Sequence, residues 1–296
     1  MKASIFKTVI FTDIAGWHGA QLKQAFAARS VEAVFISLQD CVIDLSAEKP
    51  SINIPHFAKD KINSLPKAIF VRGVAGGTLQ QIITRLNILH MLKAMGVNIY
   101  NDGKAIERTV DKAMTSFLLQ QFGVATPQTW VCESRKQAHD IVEKNAQLVI
   151  KPLFGSQGAG VRLIEKMPLP MDAFVDGVFY MQQFIETTHD YRVFVVNNQV
   201  VAAMKRTGET WLHNVAQGAK CENILDKSAE HDVLATALQA ALVLDIAYCG
   251  VDVIKDKNGK IFVLEVNSIP AWRGLQSVTE TNIAQALVDD FLSQIK

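Results

Sequence analysis

Gly250-Val-Asp-Val-Ile-Lys-Asp-Lys-Asn-Gly-Lys-Ile-Phe-Val-Leu-Glu-Val-Asn267 reads as two apolar strands joined by a turn. With Asn258-Gly259 as a two-residue turn, Lys257 pairs with Lys260, and counting outward sets Asp252 opposite Glu265. Opposed residues share a sheet face, with Cβ atoms roughly 5 Å apart. Asn267 lies two residues past Glu265 and shares that face. Facing carboxylates repel unless a cation lies between them. Two carboxylates and an amide oxygen, in strands otherwise made of Val, Ile, Leu and Phe, suit Mg²⁺ that keeps water and phosphate oxygens as its other ligands.

Upstream, Leu148-Val-Ile-Lys-Pro-Leu-Phe-Gly-Ser-Gln-Gly-Ala-Gly-Val-Arg-Leu-Ile164 places a glycine-rich loop between two strands. The loop lacks the Gly-Lys-Ser/Thr ending of a P-loop, and it leads into a strand, whereas a Rossmann fingerprint opens a helix. Gly155, Ser156, Gln157 and Gly158 can wrap a phosphate with backbone N–H groups, with Lys151 at the end of the preceding strand. Lys112, Arg192 and Arg206 are further cations beside apolar segments, suited to phosphate or carboxylate. Tyr180-Met-Gln-Gln-Phe-Ile185 is an apolar strand whose amides, Gln182 and Gln183, can meet an adenine edge. Arg273 follows Pro270, which fixes the chain direction, and its fork suits a substrate carboxylate; Trp272 either flanks a flat acceptor or packs in the core.

The remaining chain reads as alternating elements. Strands at 8–12, Val34–Leu38, Ala68–Val71 and Val97–Tyr100 enclose helices, one of them over Thr78–Met95 with Leu79, Ile82, Ile83, Leu86, Leu89 and Leu92 on one side. This is a small parallel α/β unit; residues 41–66 stay unassigned. A helix capped by Thr109 or Asp111 runs to about Phe122, and strands at Thr129–Cys132, Gln147–Lys151, Val161–Ile164 and Val178–Phe184 follow, with a helix after Ser134. Tyr191–Val196 and Gln199–Lys205 form a hairpin around Asn197-Asn198, and Glu230–Leu244 and Asn282–Gln294 are helices. The division is an N-terminal α/β domain at 1–102, a central lid subdomain at 103–188 and a C-terminal subdomain with the metal site at 189–296.

With 30 Lys and Arg against 29 Asp and Glu, the net charge of +1 gives no bulk case for nucleic acid or an anionic membrane. No stretch has the apolar length of a membrane span, and the start of the chain reads as a strand, not a targeting segment. Four widely spaced cysteines without a CxxC pair read as reduced thiols of a cytoplasmic protein.

In order, these blocks resemble the ATP-grasp superfamily, and within it the RimK-like ligases that add glutamate to ribosomal protein S6. The resemblance runs from about Arg72 to Leu287 and includes Arg72-Gly73, Asp111-Lys112, Val149-Ile-Lys-Pro152, Gln182-Gln-Phe-Ile185, Asp190-Tyr-Arg192, Ala202–Arg206, Asn214-Val-Ala-Gln-Gly218, Gly250-Val-Asp252 and Leu264-Glu-Val-Asn-Ser-Ile-Pro270. It implies an α/β chain (α+β in the grasp part) that activates a carboxylate as acyl phosphate with ATP and Mg²⁺, for which Mn²⁺ can substitute. An amine, glutamate by family, then displaces phosphate. By resemblance Lys112, Lys151 and Arg192 contact ATP; Gln182, Gln183 and Phe184 lie at the adenine and Asp190 near the ribose. Arg206 and Asn214 face the phosphates and activated carboxylate, and Asp252, Glu265 and Asn267 hold the metal. Partners are then a small-molecule acid and amine, and a homo-oligomer is compatible.

Three departures stand out. Gln183 replaces a common Glu. Leu212 and His213 replace an Arg followed by Ser or Thr. Ala271-Trp-Arg-Gly-Leu-Gln276 replaces a small-residue turn and, with Arg72–Thr78, resembles the branch associated with tetrahydromethanopterin-type cofactors. Alternatives are a dipeptide or lysine-biosynthesis ligase, or a non-catalytic nucleotide-binding regulator like the synapsins.

Overall fold

The computed structural model describes residues 6–55, 65–155, 160–164, 177–208, 210–211, 213, 218–225 and 228–295. The chain opens with β1 (Phe6–Phe11), α1 (Gly16–Ala27) and β2 (Val31–Ile36), then β3 (Val42–Asp44), β4 (Ser51–Asn53), β5 (Ala68–Val71), α2 (Leu79–Ala94) and β6 (Asn98–Tyr100). The order β2-β1-β5-β6 makes a parallel sheet, as the alternation of strands and helices requires. Residues that resisted assignment from sequence form the antiparallel pair β3–β4, with Ile52 and Ile54 buried in the core; part of that stretch, 56–64, lies outside the described residues.

Thr78 and Gln81 close a capping box at the start of α2, and Gly96, with φ of +89°, ends it in a conformation that glycine adopts freely. The anticipated buried side of α2 holds in its C-terminal half, with Leu86, Leu89 and Leu92, and fails in its N-terminal half. Arg85, Ile88, Leu89 and Leu92 face the core, while Leu79 is 70% and Ile83 46% exposed. The Arg85 guanidinium donates to the carbonyls of Ala75 and Gly76 at 2.7 and 2.8 Å, so a polar anchor holds the half of the helix where apolar periodicity placed core residues.

Two helices follow, α3 (Gly103–Val110) and α4 (Lys112–Gln121). Asp102 caps the first, which the sequence reading missed, and Asp111 caps the second through Oδ1 at 2.9 and 3.1 Å from Ala113 and Met114 N–H. Next come β7 (Thr129–Cys132), α5 (Arg135–Lys144), β8 (Leu148–Lys151), β9 (Arg162–Ile164) and β10 (Phe179–Gln183) in an antiparallel sheet ordered β7-β10-β8-β9.

The last part holds β11 (His189–Val196), β12 (Gln199–Thr207), β13 (Lys220–Asn223), α6 (His231–Leu244), β14 (Tyr248–Lys255), β15 (Ile261–Asn267), α7 (Arg273–Gln276) and α8 (Ile283–Ser293). Its antiparallel sheet runs β13-β12-β11-β14-β15. Asn197 and Asn198 both have positive φ, 47° and 57°, as a type I′ turn demands. Val193, Val195, Val251, Val253 and Val263 pack under α6, and Ala105, Leu119 and Val124 join the same core. By packing, α3 and α4 therefore group with this sheet rather than with the β7–β10 sheet.

The opposite face of the sheet shares its core with the N-terminal unit. Phe194, Tyr248 and Trp272 cluster with Phe26, Phe70 and Tyr100, and α8 seals the seam. The Phe291 ring lies 5.3 Å from Phe26, 5.9 Å from Phe70 and 5.8 Å from Tyr100. Phe291→Ala is expected to cost about 3–5 kcal/mol, the range for an aromatic removed from a packed core. Urea unfolding measures it; a loss below about 1 kcal/mol shows that α8 does not fasten the two units. Among the described residues no helix is long and apolar enough to cross a membrane.

Candidate active site

Asp252 does pair with Glu265, but two departures from the simple count cancel to bring this about. Lys255 pairs with Ile261, and the Asp256 N–H reaches the Lys260 carbonyl at 2.9 Å, so the loop is longer than two residues. Only Gly259 has positive φ, +83°, as in a three-residue hairpin loop. The register then jumps between Val253–Val263 and Asp252–Glu265, leaving Leu264 as an extra residue. Strict alternation would send Val263 and Glu265 to one face. The bulge breaks it, so Val263 stays in the core under α6 while Glu265 turns to the Asp252 face.

That face carries a cross-strand ion network. Arg192 stands opposite Asp252 and Asp190 opposite Arg206. Arg192 Nε and Nη2 donate to the two Asp252 oxygens at 2.5 and 2.7 Å. Arg206 Nε and Nη2 donate to the Asp190 oxygens at 2.6 and 2.9 Å, and Nη2 also reaches Asp252 Oδ1 at 2.9 Å. Burial alone would raise the Asp252 carboxyl, but the two guanidiniums outweigh it and hold it below the usual carboxylate range. Burial pushes Asp190 up against the pull of Arg206. Arg192, expected to touch the nucleotide, and Asp190, expected near the ribose, thus have their forks and oxygens engaged within the sheet. The physical reason is burial: ionised groups out of water must be paired and hydrogen-bonded.

Glu265 is different. It has no side-chain hydrogen bond among the described residues. Burial, then the Asp252 charge, push its carboxyl up, while Lys112, Lys151 and Arg192 oppose. Two aspartates balance two arginines in the network, which leaves Lys112 and Lys151 against Glu265. Burial lowers Lys112 despite Glu265 and Asp111, and its Nζ donates to the Leu153 and Gly155 carbonyls at 3.2 and 3.1 Å, gripping the start of the glycine-rich loop. Burial pulls the Lys151 ammonium down to about 8, with Lys112 adding to it and Glu265 and Asp252 resisting.

Gln182 is buried and turned onto Lys151: its Oε1 accepts from Lys151 Nζ at 2.6 Å and its Nε2 donates to Thr129 Oγ1 at 3.2 Å. It positions the lysine, and its Nε2 turns to Thr129 and Tyr180. The Gln183 and Phe184 N–H groups bond to the Gln128 and Gln147 carbonyls, and both residues line the cleft.

One cleft of ≈ 810 Å³ joins these groups, from Phe184 past Lys151, Glu265 and Asn267 to Arg273. Trp272 is 1% exposed and belongs to the core, so of its two readings the packing one holds; Arg273 lines the cleft. Ser156, Gln157, Gly158 and Asn214 lie outside the described residues.

A profile of the RimK-like ATP-grasp domain matches residues 109–291. The chain belongs to the RimK-like ATP-grasp family. It is thereby a carboxylate–amine ligase. The tetrahydromethanopterin:alpha-L-glutamate ligase of Methanococcus maripaludis is 30% identical over 302 residues, covering 97% of this chain and 98% of that protein. A probable alpha-L-glutamate ligase of Vibrio vulnificus is 31% identical, covering 93% and 90%. The structure of the ATP-grasp ligase PsnB with minimal precursor, Mg and ADP has the same fold, with a TM-score of 0.73 at 19% identity and 99% of each chain covered.

The residues of this RimK-like chain fit a hard divalent cation. Glu265 is a half-buried carboxylate with no hydrogen bond among the described residues, facing Asp252. Asp252 Oδ2 accepts one hydrogen bond and keeps a free lone pair, and Asn267 adds an amide oxygen in the same cleft. Two cleft residues escaped the sequence reading as site residues. Trp211 packs edge-to-face on Phe184 at 5.8 Å. His213 is buried, accepting the Gly208 N–H at Nδ1 and approaching the Thr187 carbonyl with Nε2 at 3.3 Å. The signal for His213 was its place in the Leu212-His213 departure from the family pattern, to which Trp211 is adjacent.

Proposed function

We propose that the chain joins the amine of L-glutamate to a carboxylate of a small-molecule acceptor, with ATP and Mg²⁺, releasing ADP and phosphate. The observation that carries this reading is the pairing of Asp252 with Glu265 beside two lysines in one cleft. The names of the relatives supply the amine: both are glutamate ligases, one of them acting on tetrahydromethanopterin.

In this reading Lys112 and Lys151 bind the phosphates, as do Gly155, Ser156, Gln157 and Gly158 of the glycine-rich loop. Phe184 and Trp211 flank the base, with Gln183 at the strand end. Asp252, Glu265 and Asn267 hold Mg²⁺, which when bound screens the phosphate charge. Arg206, held rigid by Asp190 and Asp252, and Asn214 face the acceptor carboxylate, and Arg192 keeps Asp252 ionised. A carboxylate oxygen attacks the γ-phosphorus and ADP leaves. The amine then attacks the acyl carbon, phosphate leaves with that oxygen, and the amine gives up a proton. Water must be excluded while the acyl phosphate exists. The boundary at 188/189 serves this chemistry by separating the β7–β10 sheet from the sheet of the metal hairpin, whereas α3 and α4, assigned to the central subdomain by the division at 102/103, pack with the C-terminal sheet.

The test is incubation with ATP, Mg²⁺, glutamate and a panel of acids, including reduced pterin carboxylates, read by mass spectrometry. The reading expects a mass gain of one glutamyl residue on one acid. Products that arise equally well without glutamate contradict it.

A further inference from the structure

The parallel sheet has a switch point that the ligase reading leaves unused. From β1 the chain passes to β2 on one side, and β5 then returns to the other side of β1. In open parallel sheets the crevice outside the carboxyl ends of such strands is where ligands bind. Here Arg72 is the first residue beyond β5, and the Arg72 and Gly73 N–H groups both close onto the Phe11 carbonyl, at 2.8 and 3.0 Å. The backbone at the crevice is therefore fixed, and the Arg72 side chain leaves it for the cleft that holds Asp252 and Glu265.

Arg72 has no acid partner among the described residues. Its Nε is buried without a hydrogen bond, and its Nη1 reaches only the Ile269 carbonyl, at 3.5 Å. Its guanidinium sits 5.2 Å above the Trp272 ring. A second guanidinium without an acid partner among the described residues lines the same cleft: Arg273, 5.9 Å from the Trp17 ring. Between them His18 accepts the Trp272 N–H at 3.1 Å and fixes the backbone next to Arg273. Pro270 seats the segment that leads to Arg273. A Cβ at Gly250 would lie 2.9 Å from the Pro270 Cβ and 3.2 Å from Arg192 Nη1, so glycine is needed there. Every other arginine on the cleft face is spent on an aspartate. Burying a guanidinium without a counter-ion is costly, and a fork supported on an aromatic ring is suited to a carboxylate.

We propose that Arg72 and Arg273 form a two-guanidinium subsite for the carboxylates of the amine substrate, making the enzyme selective for a dicarboxylic amino acid. This deepens the glutamate-ligase reading and rests on it for the identity of the amine. The two forks hold the amino acid by its ends, which leaves its amine as the group free to approach the acyl carbon.

The experiment reads binding without turnover, so a failure of ligation leaves it intact. Calorimetric titration of the protein with L-glutamate and with glutarate, in the presence of Mg²⁺ and ADP, is compared for wild type, Arg72→Gln and Arg273→Gln. Arg273 is exposed, so its variant stays informative if the half-buried Arg72 variant fails to fold. The expected result is a loss of affinity for both dicarboxylates of about tenfold or more in each folded variant, with ADP affinity within twofold of wild type. Glutamine, with one carboxylate fewer, is expected to bind wild type weakly and to lose affinity only in the variant that removes the guanidinium holding its remaining carboxylate. Dicarboxylate affinity within twofold of wild type in a folded variant overturns the subsite.

Discussion

Glu265→Gln is expected to lower turnover by about 10²–10³-fold, the usual cost of removing one preorganised group that stabilises transition-state charge, while leaving the protein at least as stable. The asymmetry follows from the site. The fold raises the Glu265 carboxyl through burial and the facing Asp252. A raised carboxyl favours the protonated state, so its contribution to stability is present below the ordinary carboxylate range and is lost as pH rises through the folded value. At neutral pH the ionised side chain is a cost to the ligand-free protein. Glutamine keeps the volume, removes the repulsion and removes the metal ligand. Thermal unfolding should give an unchanged or higher Tm near neutral pH, and Mg²⁺-ATP should raise it less than in wild type. A stable variant with wild-type turnover at limiting Mg²⁺ takes Glu265 out of the metal site.

Lys151→Ala is expected to weaken ATP binding by roughly 1.5–3 kcal/mol, the range for a hydrogen bond to a charged group. Among the described residues Lys151 has no acid in hydrogen-bond contact; its hydrogen bond is to Gln182 Oε1. Its ammonium sits at about 8 because of burial, so the free protein loses that charge as pH rises through this value. ATP affinity should therefore fall across the same range in wild type, and the alanine variant should lack that step. Equal affinity for ATP in the two proteins, or the same pH step in both, rejects a phosphate role for this lysine.

What was legible in the sequence was local or short-range. The Asp111 cap, one of the two offered, the Ser134 cap and the Asn197-Asn198 turn follow from side-chain and backbone chemistry within a few residues. The facing acids were legible for a weaker reason. Counting from a two-residue turn reached Glu265, but the real loop is longer, and the bulge at Leu264 restores the pairing. Hairpin counting cannot see a bulge, though an acid needed on the cleft face two residues from a core valine is the circumstance that calls for one. The roles of Asp190, Arg192 and Gln182 were not legible, because they depend on pairings between distant strands. Asp190 meets Arg206 across β11–β12, Arg192 meets Asp252 across β11–β14, and Gln182 faces the strand carrying Lys151 across β8–β10. Arg85 marks the same limit in the first half of α2, where a buried polar anchor stands in for Leu79 and Ile83 of the apolar face that periodicity suggested.

Activation of a carboxylate as acyl phosphate is tested most directly by following its oxygen. The acceptor acid is labelled with ¹⁸O in the carboxylate and turned over with ATP, Mg²⁺ and glutamate, and the products are weighed by mass spectrometry. The account predicts one ¹⁸O in inorganic phosphate for each amide formed, with ADP released in equal amount and no label in any nucleotide. Label in AMP, with pyrophosphate as co-product, would contradict it.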